Sequence, residues 1–228
     1  LYSQLLATSH ISTGGGLLKA PLLLMKVPLK FKNKKAILFA TGPTLKKSEI
    51  DFIGKNRTDD FVIFGCNDTY RYIDYLDVHY ACDKQWWQHW GSKFRDQYPD
   101  LESWTQDSHM ALKYKLNHVD GKGHEGLSLN SNLIHFGSNS GFQQLNLAFL
   151  MGCSEFYLVG YTMGKVDKQS HIFGEHPGSL KKNSPYPKFV QKFKNIQKEI
   201  KPLIHCSTTG SRLKGIFQHT SVEEIFNA

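Results

Sequence analysis

The feature that most narrows what this chain can become is a recurring pattern: a short apolar run that stops at a small polar turn. Ala36-Ile37-Leu38-Phe39-Ala40 stops at Thr41-Gly42-Pro43-Thr44, and Phe61-Val62-Ile63-Phe64-Gly65-Cys66 stops at Asn67-Asp68-Thr69-Tyr70. Asp77-Val78-His79-Tyr80-Ala81-Cys82 stops at Asp83, and Phe156-Tyr157-Leu158-Val159 stops at Gly160-Tyr161-Thr162. Runs this short and this apolar suit strands covered on both faces, the usual state of strands in a parallel sheet. Helical periodicity lies between them, at residues 45–54, 84–94 and 138–152. The alternation predicts an α/β, Rossmann-like fold: a mostly parallel sheet with helices on both faces. Polar residues gathered at successive strand ends mark the crevice where ligands of such folds sit.

Residues 138–164 show the pattern in full. Ser138-Asn139-Ser140-Gly141 opens a helix whose apolar positions Phe142, Leu145, Ala148, Phe149 and Met151 share one face, and Gly152 ends it. Free N–H groups at such a helix start, with the hydroxyls of Ser138 and Ser140, suit an anion. The turn Thr41-Gly42-Pro43-Thr44 reads similarly: Gly42 admits close approach of a ligand, Pro43 fixes the turn and Thr44 caps the next helix. It is neither a G-x-G-x-x-G nor a Walker A loop. Asn67 is placed to read a base edge or a ribose hydroxyl.

Elsewhere the chain is less explicit. Trp86 and Trp90, four residues apart on one helix face, predict core or an interface between copies, which leaves a homo-oligomer open. Residues 100–135 carry no clear helix or strand pattern, and the cluster Gly121-Lys122-Gly123-His124-Glu125-Gly126, with no strand before it and no helix pattern after it, reads as a loop. Residues 161–187 read as a lid, because Pro and Gly preclude a long helix there. A basic amphipathic helix is expected over 186–200, and a last strand over 203–206.

The 228 residues suit one domain with a sizeable core. That domain is expected over 31–228, after a flexible extension at 1–30 in which Met25 looks like a natural start. The net charge of +8 favours an anionic partner such as a nucleotide, with nucleic acid as an alternative that no base-reading motif supports. Cys66, Cys82, Cys153 and Cys206 form no C-x-x-C and read as free thiols, which points to a reducing, cytoplasmic setting. No run of 18 apolar residues is present, so no transmembrane segment is expected.

Five motifs in order carry a family resemblance: A-T-G-P-T-L-K from Ala40, F-G-C-N-D-T-Y from Phe64, S-N-S-G-F-Q-Q-L-N-L-A from Ser138, Y-L-V-G-Y-T-M-G from Tyr157 and H-I-F-G-E-H-P from His171. Between about residues 36 and 212 the chain resembles phage and bacterial proteins similar to the sialyltransferases that build surface glycans from a CMP-activated donor. It also resembles the domain shared with archaeal 6-hydroxymethylpterin diphosphokinase. The resemblance implies a nucleotide bound across the strand ends by Thr41, Gly42, Pro43, Thr44, Asn67 and Asp83. It further implies contacts from Ser138, Asn139, Ser140, Gly141, Gly160, Tyr161 and Thr162, the last standing where the family often has Asp. A lid histidine would act as base on a glycan or other hydroxyl acceptor, and lid tyrosines would neutralise the leaving phosphate without metal.

Glycosyl transfer needs a base and a means of neutralising a departing phosphate. His171 and His176 are the lid candidates for the base, and Pro177-Gly178 favours His176 by fixing its turn. His171, Glu175 and His176 lack the helix that would make their spacing a zinc site, so no metal ligands are assigned. The diphosphokinase alternative would require Mg²⁺, with Asp68 and Asp83 as the available carboxylates.

Overall fold

A computed structural model describes residues 26–180 and 183–227. The expected extension at 1–24 and the start at Met25 lie outside the described residues. Folded structure begins before residue 31: Val27 is buried, and its N–H donates to the Ser131 carbonyl at 2.8 Å.

The first half of the chain supplies β1 (Lys35–Phe39), α1 (Lys47–Asn56), β2 (Phe61–Cys66), β3 (Val78–Tyr80), α2 (Lys84–Gln97), β4 (Glu102–Thr105), α3 (Ser108–Tyr114) and β5 (Asn117–His118). A small parallel pair follows, β6 (Asp120–Gly121) with β7 (Leu133–Ile134). Then come α4 (Ser140–Leu150), β8 (Glu155–Val159), α5 (Tyr186–Lys194), β9 (Ile204–Cys206) and β10 (Gln218–His219). Eight strands form one sheet in the order β10-β9-β8-β1-β2-β3-β4-β5, with every pairing parallel. The expected α/β, Rossmann-like architecture is therefore present. The order reverses between β1 and β8, which creates a topological switch point there.

Side-chain alternation along the central strands explains why both faces must be covered. Ala36 and Leu38 join Val62, Phe64, Phe156 and Leu158 in the core under α4 and α5. Ile37 and Phe39 join Ile63, Tyr157 and Val159 against Ile50 and Ile53 of α1. A third cluster, built on Trp86, Trp87, Phe94, Met110 and Tyr114, ties α2 to α3. Trp86 belongs to this core rather than to an exposed interface.

Residues 100–135, which show no clear pattern in the sequence, hold β4, α3, β5, β6 and β7. Trp104 of β4 and Met110, Ala111 and Tyr114 of α3 are buried. β4 and β5 escape a periodicity reading because they are 4 and 2 residues long and carry polar side chains. Helix α5 ends at Lys194 rather than near 200, although Ile196 and Ile200 still pack into the core. Helix α4 is buried at 10 of its 11 positions rather than along one face. Two of its amides are paired inside the protein: Gln143 Nε2 donates to Phe136 O at 2.8 Å, and Asn146 Oδ1 accepts the N–H groups of Ser128 and His135 at 2.9 Å each. Burying these groups is tolerable only because they are paired.

At the switch point the turns after β1 and β8 touch. Gly42 N–H donates to Gly160 O at 2.8 Å. A Cβ on Gly42 would stand 2.2 Å from Gly160 O, and one on Gly160 would stand 2.1 Å from Ala40 O. Gly160 also sits at φ +76°, while Gly174 in the lid sits at φ +88° with nothing within 4 Å of its would-be Cβ. Gly174→Ala therefore meets only the backbone penalty, roughly 1–2 kcal/mol. Gly160→Ala adds an unrelieved backbone clash, for a total of about 2–5 kcal/mol. Urea unfolding of the two variants checks this ordering.

Candidate active site

The turns at the carboxyl ends of β1, β2, β3 and β8 meet the start of α4 and the lid around one cavity of about 460 Å³. Thr41 and Gly42 line it from β1, Asn67 from β2 and Asp83 from β3. Ser138, Asn139, Ser140 and Gly141 line it from the α4 start, and Gly160, Tyr161 and Thr162 from β8. His171 and His176 close it from the lid. Pro43 and Thr44 do not line it. Nor does Thr44 cap α1, whose N-cap is Lys46. Instead Thr44 Oγ1 lies 2.7 Å from Thr162 Oγ1, so the two hydroxyls join the β1 and β8 turns to each other.

The α4 end of the cavity is held by its own hydrogen bonds. Asn139 is the N-cap, and its Oδ1 accepts the Phe142 N–H at 2.8 Å. The N–H groups of Ser140 and Gly141 are the remaining donors of that first turn. Ser140 Oγ donates to Asn67 Oδ1 at 3.2 Å and lies 3.0 Å from Cys82 Sγ. Asn67 adopts φ +50°, a conformation Asn tolerates better than most residues. The Asn67 carbonyl pairs with Nε2 of the wholly buried His79 at 2.8 Å. Burial holds His79 down at about 4, so it is neutral and donates to that carbonyl. Tyr161 is committed to structure: its hydroxyl donates to Gly141 O at 3.0 Å and accepts from Gln144 Nε2 at 2.9 Å. That arrangement leaves the hydroxyl without a donor for a ligand.

The two lid histidines differ in environment. His171 Nδ1 lies 2.9 Å from Thr41 Oγ1, the adjacent Ile172 N–H donates to Thr41 O at 2.9 Å, and the imidazole stacks on Phe173 at 4.9 Å. Burial, with a smaller contribution from nearby His176, pushes His171 down to about 4. His176 is also lowered by burial, but the Asp68 carboxylate opposes that shift. His171 is fastened to the β1 turn, whereas His176 Nδ1 has no hydrogen-bond partner.

Two side chains that the sequence reading did not single out complete the cavity. Tyr186 and Lys188, in the first turn of α5, line its outer wall, and Tyr186 Oη is buried with no hydrogen-bond partner. Their position directly after the lid and Pro185 was the available signal. A second cavity of about 430 Å³, near Lys30, Arg95 and Glu102, lies at the amino end of β4 and contains none of the expected site residues.

The chain can now be set beside known structures. A crystal structure of the sialyltransferase CST-II in complex with a trisaccharide acceptor and CMP matches with a TM-score of 0.51. Identity is 16%, and the match covers 84% of this chain and 88% of that one. This chain is similar in fold to the sialyltransferase CST-II. A crystallographic analysis of monomeric CstII gives a TM-score of 0.43 at 16% identity, covering 82% of this chain and 86% of that one. No protein-family model and no curated protein matches the chain. Among the described residues, no helix is long and apolar enough to cross a membrane.

The buried imidazoles make stability pH-dependent. His79 and His171, held near 4 in the fold, return to about 6.5 on unfolding, so the unfolded chain binds more protons between those values. Their contribution is complete above about pH 6.5 and is lost as pH falls toward 4. Urea titrations across this range should show stability falling with pH, and His171→Gln should flatten the slope.

Proposed function

We propose that this chain is a sialyltransferase-like glycosyltransferase that moves a sugar from a CMP-linked donor to a hydroxyl of a glycan or similar acceptor, without a metal. The observation that carries the reading is the convergence of residues from five separate motifs on one cavity at the switch point. The fold-related sialyltransferase CST-II binds CMP and a trisaccharide acceptor. The nucleotide lies across Thr41, Gly42 and Asn67, and Asp83 accepts hydrogen bonds from ribose or sugar hydroxyls. The phosphate faces the N–H groups of Ser140 and Gly141 at the positive end of α4.

In the transfer step His176 accepts the acceptor proton on Nε2. The acceptor oxygen attacks the anomeric carbon, and the bond from that carbon to the phosphate oxygen breaks as CMP leaves. The departing phosphate meets the unpartnered Tyr186 hydroxyl, the Lys188 ammonium and the α4 start. Such a base contributes roughly 10²–10⁴-fold. Pre-oriented donors aimed at developing charge contribute on the order of 10²-fold each.

The Mg²⁺-dependent diphosphokinase reading is weaker for a specific reason. Asp68, one of its two carboxylates, is buried with Arg71 and Trp86 as partners.

CMP should raise the melting temperature in the presence of EDTA, and UDP or ATP should do so less; stabilisation by ATP that requires Mg²⁺ would instead favour the kinase. With a CMP-sugar donor, His176→Ala should lower kcat by about 10²–10⁴-fold while leaving the CMP-induced shift intact. Tyr186→Phe should lower kcat by roughly tenfold or more.

A further inference from the structure

We propose that Asp68 is a positioning residue for His176, forming with it a carboxylate–imidazole dyad that closes when the nucleotide binds. The proposal rests on His176 being the base of the transfer reaction above, but its geometry is independent of that assignment. Asp68 opens the turn after β2 beside Asn67, and it is 1% exposed. Its carboxylate is clamped from two sides. Oδ2 accepts the Trp86 Nε1–H at 2.9 Å, and Oδ1 lies 3.0 Å from Arg71 Nη2. Arg71 is itself fixed, with its guanidinium 3.9 Å from the centre of the Trp90 ring. A buried ion pair is weak evidence for a stabilising role, since desolvation offsets most of the attraction. The orientation of the carboxylate supplies a further role.

Across the cavity rim, His176 Nδ1 lies 3.8 Å from Asp68 Oδ2. That nitrogen is buried and has no hydrogen-bond partner. Leaving such a group unpaired is unfavourable. The gap exceeds hydrogen-bond length by about 1 Å, and catalytic bonds that are long in the free enzyme commonly tighten in the complex. A lid movement of about that size would let Nδ1–H donate to Asp68, which removes the penalty. It also selects the tautomer whose Nε2 lone pair is available to accept a proton. When Nε2 takes the acceptor proton, Asp68 remains ionised and stabilises the imidazolium. The other charged or titratable groups around His176 are Arg71 in the same turn, Asp83 after β3, and His171 and Glu175 in the lid.

The test is histidine-selective ¹⁵N NMR on the full chain, free and with CMP, for the wild type and Asp68→Asn. In the wild type with CMP, His176 should carry its proton on Nδ1; an Nε2–H tautomer would overturn the dyad even if Asp68→Asn fails to fold. In Asp68→Asn the His176 titration should move down by about one pH unit or more, because a nearby opposite charge is lost. An unmoved titration also overturns the proposal. In the transfer assay Asp68→Asn should lower kcat about tenfold or more and move the acid limb of the kcat profile to lower pH, with the CMP-induced thermal shift retained. Asp68→Glu should recover part of the loss. The NMR result requires no activity. A shifted titration in a protein that transfers no sugar leaves the dyad standing and removes the glycosyltransferase reading; active transfer with an unmoved titration does the reverse.

Discussion

The structure depends on how closely the chain passes itself between β1 and β8. Gly42 donates to Gly160 across 2.8 Å, and neither position has room for a Cβ. With side chains there, the two turns would separate. The Thr44–Thr162 hydroxyl contact would break, and the cavity would lose its floor. The same contact brings the carboxyl ends of adjacent strands into a single rim, so residues more than 100 positions apart in sequence address one volume. The topological switch supplies the crevice, and the paired glycines set its depth.

Helix α4 transmits the order of the core to that rim. A helix buried on nearly every side must satisfy each amide it carries. The Gln144 amide nitrogen does so by reaching Phe39 O of β1 and the Tyr161 hydroxyl after β8. Tyr161 in turn holds Gly141 O, and Ser140 holds Asn67. The first turn of α4 is thus fixed in position before any ligand arrives. Donors fixed in this way need no reorganisation when charge develops on a leaving phosphate, the condition under which electrostatic stabilisation is most effective.

The sequence exposes some of this arrangement and conceals the rest for physical reasons. β1, β2, β3 and β8 are legible because strands covered on both faces leave continuous apolar runs. β4 and β5 are not, because short strands toward one edge of the sheet need little apolar length. Polar residues at strand ends correctly marked the rim, but their individual tasks were less visible. Gly42 makes room for the β8 turn, Thr44 binds Thr162 rather than capping α1, and the Tyr161 hydroxyl serves α4. A turn residue can be polar because it meets a ligand or because it meets another turn, and composition does not separate the two. Tyr186, Lys188 and Asp68 acquire meaning only once the lid is folded over the strands.

The lid shows why two histidines five residues apart take different parts. Ile172 packs toward the α1-side core, and its N–H, with His171 Nδ1, engages Thr41. These contacts fasten the first half of the lid to the β1 turn. His171 therefore has one ring nitrogen occupied, and stacking on Phe173 restrains its plane. His176 lies beyond Gly174, whose surroundings are open, and its Nδ1 is still seeking a partner. A segment anchored at one end and unsatisfied at the other has a defined direction in which to close. On the proposed reading, closure about His171 would bring His176 toward Asp68 and couple a nucleotide against Thr41 and Asn67 to the orientation of the imidazole.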